Sequence, residues 1–174
     1  IGRAIFLSAG ILLATACATL DSGNPSQMKN AAPSPHTRES LYAILDGYLE
    51  ALRNRNPRAV AWAAEVRNTE NNVEIDVGDG LWGTITGLDD YQLRFADPAT
   101  GQVGFFGAVE ETTETSAFTV RLKADRAGRI SEVETLVVHI SLSGLDVFAN
   151  KRFWDKPSLN ALIPAEKRIR RERL

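Results

Sequence analysis

The feature that most constrains this chain is a change of period at about residue 70. Before it, Leu41, Leu45, Tyr48, Leu49 and Leu52 recur at the spacing of one helix face. After it, Tyr91-Gln92-Leu93-Arg94-Phe95 and Phe118-Thr119-Val120-Arg121-Leu122-Lys123 alternate strictly, as half-buried strands do. Helical segments followed by a run of hairpin-linked strands define an α+β fold, with helices packed on one face of a curved antiparallel sheet. Thr37 is the expected N-cap, with Ser40 as an alternative start, and the helix is expected to end around 54–56, before Pro57. Pro57 can open a second helix holding Val60, Trp62, Ala63, Ala64 and Val66. Val73–Val77 reads as a short strand, and 81–87 as either a helical turn or a strand. Asp97–Gly101 and Asp125–Arg129 read as turns, the second leading into a strand from Ile130 to Leu142.

The ends of the chain read differently. Arg3 precedes the apolar run Ala4–Leu13 and the small residues Ala14-Thr15-Ala16, the order of a secretory signal. The run is shorter than the roughly 20 apolar residues of a spanning helix. Cys17, the only cysteine, follows directly and resembles the lipidated position of a bacterial lipobox, although Ala14 stands where Leu is usual. Plain cleavage after Ala16 or Ala18 is the alternative. The expected organisation is a signal peptide over 1–16, a Pro- and Ser-containing linker over 17–36, and one domain over 37–174. The chain is expected to be exported, either as an envelope lipoprotein anchored at Cys17 or as a secreted protein. Residues 166–174 read as a helix start with no stop signal, so the natural chain is expected to run on.

Twenty basic against 22 acidic side chains give a net charge of −2, so no basic field is available for a nucleic-acid backbone. A single cysteine and two histidines supply neither a disulfide framework nor a multi-Cys or His-rich metal centre. No cofactor or metal is expected. Gly78-Asp79-Gly80-Leu81-Trp82-Gly83 matches G-x-G-x-x-G in letters only. Asp79 would repel a pyrophosphate, and no clear βαβ unit follows. Asp76, Asp79, Asp89 and Asp90 do not follow a calcium-loop spacing. Glu110-Glu111 with Glu114 reads as a solvated hairpin end.

The two opening helical segments, the polar break and the hairpins ending in Arg121-Leu122-Lys123 and Gly128-Arg129-Ile130-Ser131-Glu132-Val133-Glu134 resemble the cone-shaped nuclear-transport-factor-two-like fold. Polyketide cyclases and ketosteroid isomerases share that fold. Thr69-Glu70-Asn71, Gly78-Asp79-Gly80-Leu81-Trp82 and Phe95-Ala96-Asp97-Pro98 resemble, more narrowly, an uncharacterised family of exported fungal and bacterial proteins. The resemblance implies a pocket between helices and inner sheet face. It also implies, for enzymes of this shape, an acid–base pair inside that pocket.

On strand parity Glu132 and Glu134 share a face with Ile130, Leu136 and Val138, while His139 shares one with Val133 and Val137. A carboxylate held beside apolar walls has its pKa raised, which suits acid–base work. Glu134 and His139 are therefore the candidate catalytic residues. Asn71, Trp82, Tyr91, Arg121 and Glu132 are the candidate ligand-binding residues. The alternative is that Glu132 and Glu134 simply pair with Arg121 on an exposed face. The expected function is uptake of a small, partly apolar molecule. An isomerase, dehydratase or cyclase of the same shape, and a domain forming a homodimer through its outer sheet face, are the other readings.

Overall fold

A computed structural model describes residues 34–112, 115–139, 161–169 and 173, all within the unit Pro33–Leu174. The expected signal peptide, Cys17, the linker before Ser34 and residues 140–142 of the last expected strand lie outside the described residues.

Helix α1 spans Arg38–Arg53. Thr37 caps it reciprocally: the Ser40 N–H donates to Thr37 Oγ1 at 3.1 Å and the Thr37 N–H donates to Ser40 Oγ at 2.9 Å. Leu41, Leu45, Tyr48, Leu49 and Leu52 form its buried stripe. Beyond it the expected second helix does not form. Pro57–Ala59 is one 3-10 turn, and the chain then becomes β1, Trp62–Glu70. Trp62, Ala63, Ala64 and Val66, expected on a second helical face, instead join the sheet, because β1 runs parallel to the last strand and pairs with it from Trp62↔Ile130 to Glu70↔Thr135, with a register shift between Trp62 and Arg67. The long-range pairing overrides local pattern. β2 is reduced to Val73–Glu74, hairpinned to β1 through Asn71 and Asn72. Both asparagines have positive φ, 50° and 66°, the backbone a two-residue hairpin loop of this hand requires.

The ambiguous stretch contains both elements: a four-residue helix α2, Leu81–Thr84, runs straight into β3, Ile85–Asp97. Then follow β4 (Gln102–Glu111), β5 (Thr115–Ala124) and β6 (Ile130–His139). The strand order is β2-β1-β6-β5-β4-β3, antiparallel throughout except between β1 and β6, so the sheet is mixed. The α+β class with a helix on a curved sheet holds, with one full-length helix among the described residues.

Curvature has a local cause. Leu88 pairs with Val109 but the next β3 pair is Gln92↔Gly107, so β3 carries two extra residues there, and such bulges bend a strand. The Asp89 carboxylate accepts the Tyr91 N–H at 3.0 Å inside the bulge. Gly107 is required opposite it, since a Cβ there would lie 2.7 Å from the Tyr91 carbonyl oxygen. The inner face carries Val103 and Phe105 of β4, Phe118, Val120 and Leu122 of β5, and Val133 and Val137 of β6, all buried in one core with the α1 stripe. The exposed edge of β3 is covered from α1 and its exit: the Tyr42 hydroxyl donates to the Arg94 carbonyl and Arg55 Nε donates to the Ile85 carbonyl.

Candidate functional site

The inner face turns polar at one end. Counting by two along β4 from buried Val103 through Phe105 and Val109 brings Glu111 to the same face. Register then sets Val109 beside Ser116 and Ser116 beside His139. The Glu111 side chain is only 8% exposed, whereas that of His139 is 42% exposed. Thr84, the last residue of α2, donates its hydroxyl to Glu111 Oε1 at 2.7 Å. The buried Ser116 donates its own to Oε2 at 2.6 Å, and His139 Nε2 lies 3.1 Å from that same oxygen. A carboxylate removed from water is costly unless its lone pairs are met, and here each oxygen has a donor from a different element. Glu111 was expected to be a solvated hairpin end; it is instead the buried centre of this cluster. Two adjacent glutamates hid it, and the signal that finds it is parity counted from Val103.

A second polar group lies deeper. Tyr48 is buried on the inner side of α1, and its ring meets those of Trp62 and Trp82 edge-on at centroid distances of 6.3 and 5.6 Å. Burial pushes its phenol far up, opposed in part by hydrogen bonding to the Thr135 side chain. Glu70 accepts the Leu81 N–H at 2.9 Å and so caps α2. Trp82 is 5% exposed, which makes it a wall of the core. Asn71 presents its amide to the backbone of β6: Nδ2 donates to the Val137 carbonyl at 3.2 Å and the Val137 N–H donates to Oδ1 at 3.0 Å. It thereby extends the pairing of β6 past the end of β1, toward His139. Tyr91 sits half-buried at the β3 bulge, and burial raises its phenol.

The remaining candidates lie on the other face. The register shifts between Lys123↔Glu132 and Ala124↔Ile130, leaving Ser131 as an extra residue. Ile130 therefore joins the buried face, while Glu132, Glu134, Leu136 and Val138 are on the outer one, a correction to the simple alternation expected from Ile130 onward. Arg121 Nε donates to Glu134 at 2.8 Å, its Nη2 to Glu132 at 3.0 Å and its Nη1 to Gln102 at 3.0 Å. Lys123 Nζ donates to Glu132 at 2.7 Å. Glu134 and His139 thus face opposite sides of β6 and are not brought together. The acidic residues also divide. Asp76 and Asp79 line an open cleft of about 670 Å³, and Asp89 and Asp90 another of about 510 Å³ beside α1.

A bent sheet clasping one helix on its inner face defines a nuclear-transport-factor-two-like domain. Residues 34–137 match the family described as a domain of unknown function (DUF8021), and the chain belongs to that family. Among solved structures, the chain is similar to a de novo designed protein with a curved β-sheet, at TM-score 0.50 and 14% identity over 67% of this chain and 99% of the design. It is also similar to an NTF2-like protein of unknown function from Cytophaga hutchinsonii (TM-score 0.47, 10% identity, 59% and 94% of the two chains). PrhC from Penicillium brasilianum is a third (TM-score 0.47, 11% identity, 70% and 95%). Identities this low speak to fold alone. No curated protein matches the sequence.

The outer ladder yields a pH prediction. The hydrogen bond from Lys123, followed by that from Arg121, holds the Glu132 carboxyl below its ordinary value of 4.5. A carboxylate whose pKa is lower folded than unfolded contributes stability that is present above the unfolded value and lost as pH falls through the folded one. Glu132→Gln is therefore expected to lower stability at neutral pH and to make the loss on acidification below about 4.5 shallower than in the wild type. Denaturant midpoints across that range check this; parallel curves would remove Glu132 from the acid response.

Proposed function

We propose that this domain takes up a small, partly apolar molecule against the inner face of its sheet, with the Glu111–His139 pair as the polar end of the site. The observation that carries the reading is the buried Glu111 carboxylate, held by Thr84 and Ser116 and in contact with a half-exposed imidazole. Burying a charged group usually weakens a fold relative to apolar packing, so a carboxylate largely buried beside a histidine is better accounted for by binding or chemistry than by stability. The same contact favours proton transfer as a second reading: an imidazole backed by a carboxylate can take a proton from a carbon beside a carbonyl and return it elsewhere. Under this reading His139, one of the two bases expected from the sequence, is the base, Glu111 is its partner, and Glu134 has no part in it.

The chain has two histidines, and His36 lies at the other end of α1, its Nε2 2.8 Å from the Asp125 carbonyl oxygen. Their ring resonances therefore report on two separated places. A panel of aromatic alcohols, their methyl ethers and aromatic ketones is expected to contain binders that move the His139 resonances and leave those of His36 in place. His139→Asn is expected to weaken such binders about tenfold, the worth of one hydrogen bond of about 1.4 kcal/mol. Panel members that bind while His139 stays unmoved would overturn the reading.

We also propose that the domain works outside the cytoplasm. The charged, apolar and small-residue order of 3–16 supports this, with Cys17 placed for lipidation. Mass spectrometry of the mature protein is expected to find an acylated N-terminal Cys17; an unprocessed N-terminus carrying residues 1–16 would contradict export by this route.

A further inference from the structure

Glu74, Asp76 and Asp79 all line the open cleft of about 670 Å³ at β1 and the loop after β2. All three are exposed, and among the described residues no side chain pairs with them. No lysine, arginine or histidine lines the cleft. Like charges repel, so grouping them brings the fold no stability. Asn68 lines the same cleft and is only 7% exposed. Its Nδ2 donates to the Ile75 and Asp76 carbonyls, at 3.2 Å each, and its own carbonyl accepts the Ile75 N–H at 3.1 Å. Two carbonyl partners can only meet the nitrogen end of the amide, so the orientation is fixed. Oδ1 is left over, and among the described residues nothing donates to it. An enclosed acceptor normally has a donor, and the cleft is where one can reach it.

We infer that this cleft is a second binding site, for a small organic cation with N–H donors on a short apolar stem, an alkylammonium or alkylguanidinium. Carboxylates and Oδ1 only accept, so the complementary group is one that only donates, as those cations do. Asn68 Oδ1 takes an N–H, the three carboxylates supply the opposite charge, and half-buried Val66 and Ile75 flank the stem. A bare metal ion fits less well: among the described residues no three acidic or histidine side chains are grouped closely enough to hold one. The cleft contains neither Glu111 nor His139, so this site stands or falls independently of the function proposed above.

Titrating the ¹⁵N-labelled chain with hexylammonium, at neutral pH and low salt, tests this directly. The amide resonances of residues 74–79 and the side-chain Nδ2 pair of Asn68 are expected to move together and to saturate. Hexanol and hexanoate share the stem without the cation, and tetramethylammonium has the charge without an N–H. Each is expected to leave those resonances in place over the same concentrations, as is calcium. In Asp76→Asn/Asp79→Asn the affinity for hexylammonium is expected to fall about tenfold, the loss of two exposed charge contacts of at most about 1 kcal/mol each. Both substitutions are isosteric and on exposed side chains, and the wild-type titrations decide the matter even if the variant fails to fold. Hexylammonium that moves none of these resonances would overturn the inference. So would hexanol, tetramethylammonium or calcium moving them as far, or an affinity unchanged in the double variant.

Discussion

One helix has to cover the inner face of the sheet, and α1 is too short to do so alone. Its 16 residues reach about 24 Å at 1.5 Å per residue, whereas the ten-residue strands β4, β5 and β6 each run about 33 Å. Where the α1 stripe lies, the inner face is apolar and closed: Leu41, Leu45 and Leu52 pack with Phe105, Phe118, Val120 and Leu122. Toward the far end of the strands the inner face changes character. There Val109 gives way to Glu111, Val137 to His139, and the small hydroxyl of Ser116 lies between them. The short α2 supplies Leu81 and Trp82 to the core and Thr84 to the carboxylate. The candidate site lies at that polar end.

The surrounding devices serve the same geometry. The two-residue excess in β3, opposite Gly107, bends the sheet toward the helix. Asn71 continues the β6 pairing with side-chain amide bonds where β1 has ended, two residues before His139. Glu70 holds the start of α2 and Thr84, at its end, holds Glu111, so β1 and β4 are linked through one helical turn. Two carboxylates at the two ends of a four-residue helix thereby fix the element that closes the polar end. The outer face does different work: the Arg121–Glu132–Glu134–Lys123 ladder is half-exposed, and pairs of that kind contribute modestly.

The helical face of α1, the cap at Thr37, the stop before Pro57 and the turns at Asp97–Gly101 and Asp125–Arg129 were all legible in the residues, because each is a local preference acting on its own neighbours. The segment from Trp62 to Glu70 was not, since its partner is β6, more than sixty residues away, and that pairing outweighs a weak helical pattern. Parity placed His139 correctly beside Val137 but misplaced Ile130 relative to Glu132, because one extra residue at Ser131 reverses the alternation and nothing local announces it. Glu111 was hidden for another reason. Its burial depends on hydroxyls from Thr84 and Ser116, one of them on an element whose type the sequence left open.

The central claim is that Glu111 and His139 act as one unit on the inner face. A double-mutant cycle of Glu111→Gln and His139→Asn, read as unfolding free energy in denaturant, measures that coupling most directly. The account predicts a non-additive term of about 1 kcal/mol, within the range for side chains in contact. Additivity to within about 0.3 kcal/mol, as for distant and independent sites, would contradict it.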